Sequence, residues 1–299
     1  MAIMPTSTRT PTSTAAAILR SARPRQWAKN LLVIAAPLSG GVIDEPHVIP
    51  RVLAAFVSFT LAASAVYLFN DVRDAEADRR HPTKRTRPVA SGALSSGLAT
   101  SAAAALAASS MGIALAVGVE LALTMAVYLA VQVLYAMWLK HQPVLDLAIV
   151  SAGFLLRAIA GGVATGVELS QWFLLVASFG SLFMVAGKRY SELMSLGEGS
   201  GTRRSLETYS ESYLRFVWSL AASVTVMAYS LWAFEIRGDS TISWQPISIA
   251  PFVLGLMRYA VDIDRGLAGE PEDAVLRDRV LQVLSLMWLA TFALGVYST

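Results

Sequence analysis

The chain has no cysteine, three histidines and little charge: Asp, Glu, Lys and Arg together make up 15% of its 299 residues. The first absence excludes disulfides, thiolate zinc sites and a thiol nucleophile. The second argues against a histidine-rich metal centre, because His47, His81 and His141 are scattered along the sequence. The third argues against a water-soluble domain, in which about a quarter of residues are charged. Residues 1–20 are rich in Thr, Ser, Pro and Ala. They have no apolar core of about 7–15 residues, so they read as a disordered tail and not as a cleaved signal.

What is present instead is apolar sequence. Hydrophobic residues make up 55% of the chain, and its mean hydropathy is +0.54. Apolar runs of about 20 residues read as membrane-spanning helices. Nine are expected, at 27–43, 50–70, 98–117, 119–139, 144–165, 170–187, 213–234, 244–261 and 279–298. The first is short and interrupted by Pro37, and the turn at Gly118–Glu120 is the least defined boundary. Charge supports the odd count. With the N-terminus inside, all but three of the 24 lysines and arginines fall in cytoplasmic segments; Arg51 and Arg237 lie outside and Arg157 within a span. Such asymmetry is the positive-inside signature. A basic chain of this kind meets membrane lipid, not nucleic acid. The fold class expected is all-α: a polytopic bundle of nine transmembrane helices, with residues 21–299 as one transmembrane domain.

Polar residues gather at the cytoplasmic mouth. The stretch "NDVRDAEAD" ends the second span. If the helix continues, Asp71, Asp74 and Asp78 share one face, with Asn70 beside them. Three acids on one face repel one another unless a cation intervenes. Oxygen ligands without Cys or His suit magnesium, which shares its shell with substrate phosphates. The alternative is neutralisation by the interleaved Arg73, Arg79 and Arg80. The following "HPTKRTRPVASG" supplies Lys84, Arg85 and Arg87 on a loop kept irregular by Pro82 and Pro88. Those cations suit phosphate oxygens or anionic headgroups.

A second cluster lies at 187–216 and contains Lys188, Arg189, Tyr190, Glu192, Arg203, Arg204 and Tyr209. A third, "YAMWLKHQPVLD", contains Tyr135, Lys140 and Asp146, with Gln132 one turn earlier. Tyr135 reads equally as an interfacial aromatic. Arg157, inside a span, needs a cavity, an acid or backbone carbonyls as partner. Asp146 is too far along the same helix, about 16 Å at 1.5 Å per residue. A structural pairing with the carbonyls near Gly161–Gly162 is one reading, and a place facing a functional cavity is the other.

"NDVRDAEAD" at 70–78 resembles the NDxxDxxxD signature of the UbiA superfamily of intramembrane prenyltransferases. "RPRQWAKN" at 23–30 and "YAMWLK" at 135–140 extend the resemblance along nearly the whole chain. Within that superfamily, "HPTKRTRPVASG", "GSLFMVAGKRYSEL" and "RYAVDIDRGLAGEPED" resemble the actinobacterial decaprenyl-phosphate phosphoribosyltransferases. The resemblance implies a helical bundle around a central cavity open to the cytoplasm and to lipid, in the plasma membrane. It implies magnesium-dependent transfer of 5-phosphoribose from phosphoribosyl pyrophosphate to decaprenyl phosphate, supplying cell-wall arabinan. A homo-oligomer is compatible with it.

Two departures mark this chain. A second Asp-rich motif of prenyl-diphosphate users is replaced by "KRYSEL", and the usual YxxxK is one residue longer, from Tyr135 to Lys140. Both favour a smaller and more anionic donor. On this reading Asp71, Asp74 and Asp78 hold magnesium and Asn70 orients the donor. Lys188 and Arg189 take the 5-phosphate, Tyr190 and Glu192 position the ribose, and Arg25, Lys29 and Lys140 guide the lipid phosphate. The rival readings are a polyprenyl diphosphate donor, and a transporter of a phosphorylated solute.

Overall fold

A computed structural model describes residues 13–196, 208–235, 242–269 and 271–298. Its helices are α1 (Thr14–Ser21), α2 (Ala35–Ser39), α3 (Val48–Arg73), α4 (Ala75–Arg80), α5 (Ser96–Val117) and α6 (Val119–Met137). They continue with α7 (Leu145–Thr165), α8 (Gln171–Leu196), α9 (Glu211–Glu235), α10 (Trp244–Asp264), α11 (Pro271–Arg277) and α12 (Arg279–Tyr297). Eight of these, α3, α5–α10 and α12, are long and apolar enough to cross a membrane.

The first expected span is different. Pro24–Ile34 is a 3₁₀ helix that passes into the short α2. Pro24 starts it, and Pro37 has no N–H to offer the Val33 carbonyl one turn back. The 3₁₀ form rises about 2.0 Å per residue, so the segment with α2 covers roughly 30 Å, the thickness of a bilayer core. It runs from Arg23, paired with Asp71, to Leu38, whose carbonyl accepts from the Tyr297 hydroxyl at the other end of the bundle. Gly161 makes this packing feasible: a Cβ there would lie 1.9 Å from the Val33 carbonyl oxygen. The segment therefore rests backbone to backbone on α7.

Residues 13–20, expected to be disordered, include most of α1, capped by Ser13. Ala17 packs with Leu68, Leu94 and Ala99, which gives this short helix an apolar anchor. The break between α5 and α6 falls at Gly118. Ala-rich faces bring α3 and α5 close enough for Ser58 and Ser110 each to donate to the other's carbonyl, at 2.9 and 2.8 Å. Small residues with reciprocal hydroxyls are how helices associate without a hydrophobic driving force. The long helices alternate in direction. The ends of α3, α6, α8 and α10 therefore meet the starts of α5, α7, α9 and α12 at one charged end.

Candidate active site

At that end α3 stops at Arg73, and Asp74 breaks the helix before α4 resumes. The two helices place the three aspartates in a chain of ion pairs. Arg23 Nη2 lies 2.5 Å from Asp71 Oδ1, and Arg87 Nη1 reaches Asp71 Oδ1 at 3.4 Å and Asp78 Oδ2 at 2.7 Å. Asp74, turned aside at the break, takes Lys140 Nζ at 2.6 Å. Asp71 and Asp78 are buried, while Asp74, Arg23, Arg87 and Lys140 are partly open.

The interleaved arginines are not the partners. Arg73 donates to the Ala136 and Met137 carbonyls, Arg79 to the Ala90 carbonyl, and Arg80 pairs with Glu76. The acids are neutralised by cations brought from three other segments. Arg23 holds a left-handed backbone, φ 55° and ψ 66°, that a non-glycine residue adopts rarely. Its pair with Asp71 and its stacking 4.8 Å over the Tyr67 ring hold it there.

The aspartates were expected to converge as metal ligands. Among the described residues no three carboxylates or histidines form such a group. Asp71 and Asp78 do share one guanidinium nitrogen, so their oxygens face a common centre, but Asp74 points to Lys140. The donor set of Asn70, Asp71, Asp74 and Asp78 is all oxygen. That chemistry fits a magnesium ion that completes its shell with phosphate oxygens and water. It does not fit a cage made by protein alone.

The second cluster is built around Asp146, fully buried at the start of α7. The Tyr209 hydroxyl donates to Asp146 Oδ1 and accepts from the Val144 N–H at 2.7 Å. Val144 has φ 69° and ψ −49°, and the Leu145 N–H bonds to the Pro143 carbonyl at 2.8 Å. This is a strained γ-turn at a β-branched residue. Burial, and then the Asp146 carboxylate, push the Tyr209 phenol well above its ordinary range, so it stays a donor. Arg189 Nε lies 3.5 Å from Asp146 Oδ2, and its Nη1 bonds Glu192 Oε2 at 2.8 Å. At 3.5 Å the Asp146 contact is an ion pair without a hydrogen bond. Tyr135 lies within electrostatic range of Arg189.

Several expected residues fall elsewhere. Tyr190 is fully buried. Its hydroxyl joins Glu211 and Arg215 instead of facing the cluster, because successive positions on α8 point to different sides. Arg189 is 5% exposed and already neutralised, which leaves Lys188, half-buried and 4.0 Å from Glu192, as the more open cation. Gln132 is half-buried on α6 against α7, its Nε2 3.0 Å from where a Cβ on Gly153 would stand. Arg25 and Arg85 are exposed, Lys84 is half-buried, and Lys29 bonds Gln26. Arg203 and Arg204 lie outside the described residues.

Arg157 bonds the Gly153 carbonyl, not those near Gly161, and its Nε bonds Asn30 Oδ1 at 2.8 Å. Tyr128 and the rings of Phe59 and Phe154 complete its surroundings. No acid is needed, because carbonyl, amide and ring faces each offer negative potential. Asn30, which sequence reasoning missed, also donates to the Thr60 hydroxyl and ties the 3₁₀ segment to α3 and α7. Arg23, counted among the cations but given no role, is the other omission. No periodicity marks either, since both belong to a segment that is not α-helical.

A helical membrane bundle that presents an aspartate motif to cations at one end has the architecture of an intramembrane prenyl-group transferase. The chain belongs to the UbiA prenyltransferase family, whose pattern matches residues 31–265. It is 54% identical over 294 residues to a decaprenyl-phosphate phosphoribosyltransferase of Mycobacterium tuberculosis (strain ATCC 25618 / H37Rv), covering 97% of each chain. A protein of the same name from Corynebacterium glutamicum is 50% identical, over 96% of this chain and 89% of that one. The fold is similar to that of a UbiA homolog from Archaeoglobus fulgidus bound to GPP and Mg2+. The TM-score is 0.73 at 17% identity, over 95% of this chain and 100% of that one.

Proposed function

We propose that this protein transfers the 5-phosphoribosyl group of phosphoribosyl pyrophosphate to decaprenyl phosphate, releasing pyrophosphate, at the cytoplasmic face of the plasma membrane. The observation that carries the reading is the alternation of acids and cations at one end of the bundle, together with a cation-bearing second cluster. A prenyl diphosphate would be met by a second acidic motif. A cationic second cluster suits a donor that carries a separate 5-phosphate besides its diphosphate. The near full-length similarity to decaprenyl-phosphate phosphoribosyltransferases supports the same substrates.

Asp71, Asp74 and Asp78, with Asn70, are the residues that would hold magnesium. When bound, the ion neutralises charge developing on the departing diphosphate. The protein supplies the rest. Arg23, Arg87 and Lys140, held on the acids, are pre-positioned to meet the diphosphate oxygens with little reorganisation. Lys188 is the residue for the 5-phosphate. Arg189 holds Glu192, which orients the ribose. The C1–O bond to pyrophosphate breaks with its electron pair leaving on oxygen, and C1 gains oxocarbenium character. An oxygen of the lipid phosphate, already an anion, attacks from the opposite face. No general base is required, and the configuration at C1 inverts.

Purified protein given phosphoribosyl pyrophosphate, decaprenyl phosphate and magnesium should release pyrophosphate and form a phosphoribosyl lipid. A chelator should stop both, and manganese should restore part of the rate. Activity with a polyprenyl diphosphate and none with phosphoribosyl pyrophosphate would favour the rival donor.

Lys188→Ala should raise the KM for phosphoribosyl pyrophosphate by about 10- to 150-fold, the loss of one charge-assisted phosphate contact. The KM for decaprenyl phosphate should hardly move. A variant that weakens only the lipid would exchange the two phosphate assignments.

A further inference from the structure

A cavity of about 410 Å³ opens between α10, α11 and α12 at the charged end, and among the described residues none that lines it is bonded to the acid cluster or to the Arg189 network. Asp262 lines it. The residue as a whole is 9% exposed, and among the described residues its carboxylate accepts no hydrogen bond, although Arg258 and Arg265 lie within electrostatic range. A carboxylate set into a cavity wall without a hydrogen bond gains from a donor brought by a ligand. Arg258, one turn earlier on α10, would be the natural partner but is engaged elsewhere. Its Nε bonds Asp278 Oδ2 at 2.5 Å, while Asp278 Oδ1 caps α12 by accepting from the Val280 and Leu281 N–H groups at 2.9 and 3.2 Å. That pairing holds the Asp278 carboxyl below the usual carboxylate range, so Arg258 and Asp278 satisfy each other.

What remains facing the cavity is one acid and two arginines. Arg277 is exposed and only loosely paired, 3.9 Å from Asp273. Arg279 has no acidic partner among the described residues. The apolar part of the wall is Leu267 and Val280, both exposed, and the surface of α12 continues beyond them through exposed Val283 and Leu286. A ligand complementary to this wall carries an ammonium group, a phosphodiester a few bonds away, and an apolar chain leading along a membrane helix.

We propose that the cavity binds the headgroup of an aminophospholipid of the phosphatidylethanolamine class. The primary ammonium donates to Asp262, the phosphodiester lies against Arg277 and Arg279, and one acyl chain follows α12. A merely anionic headgroup would use the arginines but leave Asp262 unpartnered and repelled. A quaternary ammonium would supply charge but no N–H for the carboxylate to accept.

The test uses the full chain, purified in detergent and stripped of lipid, in native mass spectrometry with phosphatidylethanolamine, phosphatidylcholine and phosphatidylglycerol of matched chains. Phosphatidylethanolamine should bind at least about tenfold more tightly than either of the others, the value of a charge-assisted hydrogen bond. Asp262→Asn should erase that preference, and Arg279→Ala should weaken binding while keeping the preference. Equal binding of the three lipids to the unaltered protein would overturn the proposal, and needs no variant to fold. So would a preference that survives Asp262→Asn in folded protein. Decaprenyl phosphate displacing phosphatidylethanolamine one for one would assign the cavity to the acceptor substrate, and overturn it as well.

Discussion

Asp71→Asn and Asp74→Asn should each lower turnover by at least about 10²- to 10³-fold, the usual loss when one charge-stabilising group leaves an active site. The two variants differ in what else they disturb. Asp74 is partly open, and among the described residues its carboxylate pairs only with Lys140, so its replacement should shift stability by no more than about 0.5 kcal/mol, as surface changes do. Asp71 is buried against Arg23 and Arg87. Asparagine there keeps the shape but removes the charge that holds Arg23 in its left-handed backbone, so some stability should go with the activity. Asp74→Asn is therefore the cleaner test. If Asp74 holds magnesium, raising the metal concentration should recover part of its rate. If Asp74 serves only to place Lys140, added metal should do nothing and Lys140→Ala should have the same effect. Full activity in either aspartate variant would refute the assignment.

The spans were legible because apolar runs of bilayer length have few other uses, and the end of the bundle at which polar and charged groups gather was legible from the loop cations. The motif aspartates were visible from their spacing on one helical face. What the spacing could not show was the break at Asp74, which sends one of the three carboxylates to a different partner. Nor could it show that Arg23, Arg87 and Lys140 would be those partners, since each comes from a separate segment and arrives only through tertiary packing. The first span was misread in form for a related reason. Residues 27–43 are apolar enough to suggest an α-helix, but two prolines and the close approach of Gly161 to Val33 favour an extended 3₁₀ path. Asn30 and Arg157 meet only because of that path. In the second cluster the sequence showed which residues were polar, but not which side of α8 each would face. Tyr190 and Arg189 are neighbours in sequence and belong to different networks in space.

Arg189→Met should destabilise the protein by about 3–5 kcal/mol, the cost of leaving a buried charge without its partner. Asp146 is the group left behind. It is fully buried, its Oδ2 has no hydrogen bond, and Tyr209 supplies only a neutral donor to its other oxygen. The effect should be read first as a lower unfolding midpoint in detergent. Tyr209→Phe should cost less, about 1–3 kcal/mol, because it removes two hydrogen bonds, to Asp146 and from the Val144 N–H, and no charge. The pair can be separated from the chemistry by replacing both partners. Apolar substitutes for a buried ion pair are often neutral or stabilising, so Asp146→Leu with Arg189→Met should regain most of the lost midpoint. Turnover should not return with it, since Glu192 loses the guanidinium 2.8 Å away that fixes its carboxylate. If the double variant recovers both, the pair serves folding alone and Glu192 does not orient the ribose. If it recovers neither, the buried charge is not what makes the single variant unstable. The strained turn at Val144, whose N–H bonds Tyr209, is then what Arg189 supports.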